Sequence, residues 1–111
     1  MKVNLAIIIL ELGLTASLTP VLAHHSVAAQ FDMSKTIAIE GTVTRTEFLN
    51  PHARVWVDAK SGDGTISNWE VELPPPNTLK RQGVTTDSLK QGDQIALSVW
   101  QAKDGSKLAT G

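Results

Sequence analysis

Three histidines are the residues of this chain whose type and spacing best suit chemistry: His24 and His25 side by side, and His52 closing the run Asn50-Pro51-His52. If the chain is cut after Ala23, His24 offers both a free α-amino group and an imidazole to one metal ion, a chelating pair of the histidine-brace kind. His25 and His52 are then candidates for the remaining nitrogens. If the cut falls after Leu22, Ala23-His24-His25 places a histidine third, the spacing of an amino-terminal copper- or nickel-chelating sequence. Either set is all nitrogen and planar or T-shaped, which suits Cu(II) or Ni(II), with Cu(II) held most strongly in the series. An α-amino group titrates at about 7.7–8 and an imidazole at about 6.5, so copper must displace protons and its affinity falls below about pH 6. A tetrahedral zinc site fits less well, because the chain has no cysteine and a carboxylate such as Glu47 would have to complete it. Two ordinary facts stand against a metal site. Chain ends are usually loose unless tied down, and a histidine after a proline can simply bond backbone in a turn.

The second chemical feature is aromatic. Trp56 and Trp100 alternate with apolar neighbours (Val55 and Val57; Ile95, Leu97 and Val99), so both point away from the core those neighbours define. With Arg54 on the same face as Trp56, they form a candidate ligand or partner face, since an exposed indole can stack on a base, sugar or peptide. The competing reading is that a curled strand covers both faces, here with the segment Val27 to Phe31. Glu70 and Glu72 lie two apart on one strand face, where a solvated surface is the ordinary reading. No Ser-His-Asp arrangement, phosphate-binding loop or glycine-rich fingerprint occurs, and the expectation is a protein that is not an enzyme.

These residues need elements to hold them, and the chain reads as strands. Thr36 to Phe48 alternates, with Ile37, Ile39, Gly41 and Val43 on one face and Ala38, Glu40, Thr42 and Thr44 on the other. Gly41 in its middle predicts a bulge or a sharp bend. Arg54 to Lys60 and Thr65 to Leu73 form a hairpin about Ser61-Gly62-Asp63-Gly64, with Trp69, Val71 and Leu73 inward. Pro74-Pro75-Pro76 breaks the sheet. Asn77 to Gln82 makes a short helix stopped by Gly83, and a further capped turn follows at Thr86–Leu89. A fourth strand carries Ile95, Leu97 and Val99. Asp104-Gly105 turns the chain into Ser106–Gly111, too short and polar to match its partner. Three strands, a short helix and two strands predict a mainly β domain, a small OB-like five-stranded antiparallel barrel whose C-terminal closure the short last strand leaves open. An open antiparallel sheet with a helix on one side is the alternative.

The first 23 residues read as an address. Lys2 precedes the apolar run Leu5–Leu10, interrupted by Glu11, and Val21 and Ala23 suit a small-residue cleavage point. That is the layout of a secretory signal peptide over 1–23, leaving one domain over 24–111. The rival reading, an uncleaved anchor, suffers because the run is shorter than the ~20 apolar residues a spanning helix needs. A bacterial periplasmic or secreted location follows, with no membrane span after cleavage. Length bounds the rest: 111 residues leave room for one domain. The 10 basic and 11 acidic side chains give a net charge of −1, without the basic footprint of a nucleic-acid binder.

One pattern spans the mature region: His24-His25-Ser26, Phe31-Asp32, Gly41-Thr42-Val43 and Glu47-Phe48-Leu49-Asn50-Pro51-His52. It continues through Asn68-Trp69, Pro76-Asn77-Thr78-Leu79, Leu89-Lys90-Gln91-Gly92-Asp93 and Ala102-Lys103-Asp104-Gly105-Ser106. Together these motifs resemble a family of small exported bacterial proteins of unknown function. The resemblance implies an exported β-barrel domain and brings no catalytic residue with it. It departs at Ala53-Arg54, where the family tends to an aromatic-rich run, and after Asp104-Gly105, where the family usually carries a further strand. The functional expectation is a small exported β-barrel module, non-catalytic, that binds a protein or small-ligand partner. The alternative is a periplasmic copper-binding protein.

Overall fold

The computed structural model describes residues 27–111, so the proposed signal segment and both His24 and His25 lie outside the described residues. Residues 27–30 are helical, and Phe31–Gly111 form the barrel unit. Five strands and a helix follow in order: β1 (Ile37–Glu47), β2 (Arg54–Lys60), β3 (Ile66–Glu72), α1 (Pro76–Arg81), β4 (Gln94–Gln101) and β5 (Leu108–Thr110). The sheet closes on itself in the order β1-β2-β3-β5-β4. β5 runs parallel to β3 and antiparallel to β4. This is the small OB-like barrel that the order of elements predicts, with its helix between β3 and β4.

The structure also settles closure, which the sequence leaves open. The last strand is abbreviated, as its sequence implies, but it does not leave the barrel incomplete. Leu108, Ala109 and Thr110 pair with Glu70, Val71 and Glu72, while Ala109 and Thr110 also pair with Gln101 and Trp100. Gly111 N–H donates to Glu72 O at 2.9 Å and Ala102 N–H donates to Leu108 O at 2.8 Å, extending the seam on both sides. Ala109 is fully buried. A small side chain there lets a three-residue strand sit close against its neighbours, and closure removes the free edges an open sheet would carry.

β1 shows how the barrel turns. Its first half pairs with β4 and its second half with β2, and Gly41 and Thr42 pair with both. At Gly41 the β2 backbone comes so near that a Cβ would lie 2.0 Å from Asp58 O. Only glycine permits that approach. Gly41 is thus the close-packed corner, and the bulge falls three residues later. The register slips between Val43 and Arg45, leaving Thr44 as the extra residue.

The interior is built from small and β-branched side chains. Val43, Val55, Val57, Val71, Val99 and Ala109 are almost wholly buried, with Ile39, Ala59 and Trp69 beside them. Phe31 is buried through its bridge to Ala102, anchored by Asp32 N–H to Gln101 O at 2.9 Å. α1 starts with Pro76 in its first turn, buries Leu79, and stops before Gly83, whose φ of +84° suits glycine.

Three turns share an Asp-x-Ser/Thr pattern: Asp32-Met33-Ser34, Asp63-Gly64-Thr65 and Asp104-Gly105-Ser106. In the turn that feeds β5, Ser106 N–H donates to Asp104 Oδ1 at 2.9 Å. Hydrogen bonds from the Ser106 side chain and then its backbone hold the Asp104 carboxyl below the usual range.

Two outcomes follow. Gly41→Ala forces β1 and β2 apart and is expected to cost at least about 2 kcal/mol of stability. Gly62→Ala, where a Cβ meets nothing within 4 Å, should cost under about 0.5 kcal/mol. Chemical denaturation of the two variants makes the comparison. The folded state binds protons at Asp104 less readily than the unfolded chain, so the contribution is present above the ordinary carboxylate range and is lost as pH falls through it. Stability of Asp104→Asn measured against pH should therefore fall less steeply than wild type below about pH 4.

Candidate functional site

The bulge at Thr44 decides what faces outward on β1. Strict alternation from Val43 would turn Arg45 and Glu47 into the core. The extra residue shifts the parity, so Arg45 pairs with Trp56 and Glu47 with Arg54 on the outer surface, and Thr46 takes the inner side opposite Val55. β2 alternates without interruption. Val55 and Val57 are buried, while Arg54, Trp56 and Asp58 face out.

On this outer face of β1, β2 and β3 the side chains interlock. The Arg45 guanidinium lies 4.4 Å from the centre of the Trp56 ring, a cation–π contact. Glu47 bridges two arginines, with Oε2 3.2 Å from Arg45 Nη2 and Oε1 3.6 Å from Arg54 Nη1. Arg54 in turn pairs across the ladder with Glu72, and Trp56 with Glu70. The cross-strand pairs continue from Glu72 to Thr110 and from Thr110 to Trp100. Glu47, Arg54, Glu72, Thr110 and Trp100 therefore form one row around the outside of the barrel. Trp56 and Trp100 are both half-buried, as are Glu70 and Glu72, so that pair of carboxylates is less solvated than its sequence implies.

His52 sits at the end of this face, in the β1–β2 connection that contains the cis Asn50–Pro51 peptide. The connection is tied to the end of β3: Ala53 N–H donates to Pro74 O at 3.3 Å and Leu73 N–H donates to Ala53 O at 2.8 Å. His52 Nδ1 lies 3.2 Å from Leu73 O. A carbonyl can only accept, so Nδ1 carries the proton of that bond. Nε2 then faces outward, 3.7 Å from Glu72 Oε1. Thus His52, Arg54 and Trp56 lie on one end of one face, with Trp100 three strands along the row from Arg54. His24 and His25 are outside the described residues. Among the described residues no group of three His, Cys, Asp or Glu side chains is placed to hold a metal ion.

A second set of outward side chains lies on the same sheet, toward the Gly41 corner. Gln94, Thr42, Asp58 and Asn68 are successive cross-strand partners on β4, β1, β2 and β3. Their hydrogen bonds join in two groups: Gln94 Nε2 donates to Thr42 Oγ1 at 2.6 Å, and Asn68 Nδ2 donates to Asp58 Oδ1 at 2.8 Å and to Thr44 Oγ1 at 3.1 Å. Arg45 and this polar row escape a reading of the strands one at a time, because both depend on register. The outward alternation of β1, β2 and β3 gave Thr42, Asp58 and Asn68 each a sequence signal, but not their pairing.

The model of a family of unknown function, DUF6152, matches residues 13–111. The chain belongs to that family. No curated protein and no solved structure matches it. For this DUF6152 member, as for the motifs quoted above, family membership carries no assigned activity. No helix among the described residues is long and apolar enough to cross a membrane.

The charges of Glu47 are partly exposed and worth little to the fold. Glu47→Ala is expected to change stability by less than about 1 kcal/mol, read as a shift in urea midpoint. Trp56 fluorescence should change in the same variant as Arg45 loses its tether.

Proposed function

We propose that this chain is an exported, non-catalytic binding module of the bacterial periplasm or exterior, which takes a protein or small-ligand partner on the outer face of β1–β3. The observation that supports this most is the interlocked array of Arg45, Glu47, Arg54 and Trp56, placed over a core that is apolar without it. Side chains that the barrel does not need for stability, held in one geometry by each other, are the arrangement a recognition surface requires. The charged start, apolar run and small-residue cleavage point of residues 1–23 support export.

One observation favours the copper reading beside it: with Nδ1 committed to Leu73 O, His52 presents Nε2 outward, the nitrogen a metal would take. In that reading the amino terminus and imidazole of His24, with His25, complete the set.

A photo-crosslinking amino acid at position 45, in the exported protein, is expected to give discrete adducts that the same group at the exposed position of Lys80 does not. Trp56→Ala should weaken that capture about tenfold or more. Identical adducts from both positions would sink the binding face. N-terminal sequencing of the same protein should find a terminus at His24. A Cu(II) titration on that sample tests the alternative, which requires a one-to-one complex that is lost when the terminus is extended by one residue.

A further inference from the structure

The polar row at the Gly41 corner borders a cavity of about 520 Å³ lined by Glu40, Gly41, Thr42, Asp58, Lys60, Ile66 and Gln94. That volume lies within the usual range for small-ligand sites, roughly 300–1,000 Å³. We propose that this cavity binds a neutral saccharide, one sugar ring of a glycan, independently of the Arg54–Trp56 end of the face.

Three features of the lining argue for that ligand class. The first is charge. Glu40 and Asp58 outnumber Lys60, so the site has no excess of cations to attract a phosphate or a carboxylate. The second is hydrogen-bonding capacity. Behind the lining, Asn68 spends its amide hydrogens on Asp58 Oδ1 and Thr44 Oγ1, which fixes the Asp58 carboxylate and leaves its second oxygen as an acceptor. Gln94 spends an amide hydrogen on Thr42 Oγ1, which leaves its carbonyl oxygen to accept and the Thr42 hydroxyl proton to donate. Sugar hydroxyls are at once donors and acceptors on adjacent carbons. They match an array that sets the acceptors of Asp58 and Gln94 beside the hydroxyl donor of Thr42, all fixed by mutual bonds, so little side-chain freedom remains to be lost on binding. The third is the rim. Ile66 is 65% exposed where it lines the cavity, an apolar contact for the C–H face of a pyranose ring.

The test is a nitrogen-15 NMR titration of the protein with maltose and with the N-acetylglucosamine disaccharide, and with inorganic phosphate and glucuronate as charged probes. The expected result is saturable shifts from one of the neutral sugars at Thr42, Asp58, Asn68 and the Gln94 side-chain amide. Affinity on the order of 1 mM is enough to be read. Asn68→Ala and Gln94→Ala, both exposed positions that leave the core intact, should each weaken binding at least tenfold, and Arg54→Ala should leave it unchanged. The inference is overturned if neither neutral sugar gives saturable shifts there, if phosphate or glucuronate shifts these residues instead, or if both variants bind as wild type. Because Arg54→Ala and position-45 crosslinking report on the other end of the face, failure here leaves that reading standing, and the reverse also holds.

Discussion

Everything in this barrel hangs on one strand serving two neighbours. β1 hydrogen-bonds β4 with its first half and β2 with its second, and the exchange takes place at Gly41 and Thr42. A sheet of five strands can close at this small radius only if that strand bends sharply. The bend brings the carbonyl of Asp58 to where any larger residue would put its Cβ. The valine-rich interior is the other side of the same constraint. A tight barrel has room for Val43, Val55, Val57, Val71 and Val99, with Ala59 and Ala109 at the narrow places.

The bulge at Thr44 then separates fold from surface. Downstream of it, the inward positions of β1 become outward, and Arg45 and Glu47 join the face built by Arg54 and Trp56. A bulge conserves the core and re-aims the side chains beyond it. The outer surface thereby acquires two ends of different character along one sheet. One is charged and aromatic near His52, and the other is amide-rich near Gly41, where Gln94 and Asn68 flank Thr42 and Asp58. They meet at Thr44, whose hydroxyl accepts from Asn68 Nδ2 at 3.1 Å and donates to the Trp56 carbonyl at 3.3 Å.

How much of this was legible in the sequence follows from the range of the forces involved. The strands showed themselves through period-two alternation, and the turns through Asp63-Gly64 and Asp104-Gly105, because both signals are local. β2 and its outward Arg54, Trp56 and Asp58 could be read in full. Gly41 marked the barrel corner, the bend of the two readings its position allowed; the bulge at Thr44 carries no glycine to announce it. Closure by β5 was illegible for a different reason. Its few residues are unremarkable alone, and their stability comes from pairing with Glu70–Glu72, nearly forty positions earlier in the chain. The polar row Gln94–Thr42–Asp58–Asn68 likewise exists only once three registers are fixed. The histidine reading stands partly beyond the described residues, since His24 and His25 lie there.

The brevity of β5 has a consequence for motion. The seam is held by three residue pairs against β3, distant in sequence, and by two against β4, across the Asp104-Gly105 turn. Openings of lowest free energy occur where few pairs must break, so the amides of Leu108–Thr110 form the weakest cooperative unit of the barrel and exchange with solvent ahead of β1–β3. The row from Glu72 through Thr110 to Trp100 crosses that seam, so the outer face is rigid at its Trp56 end and breathes at its Trp100 end.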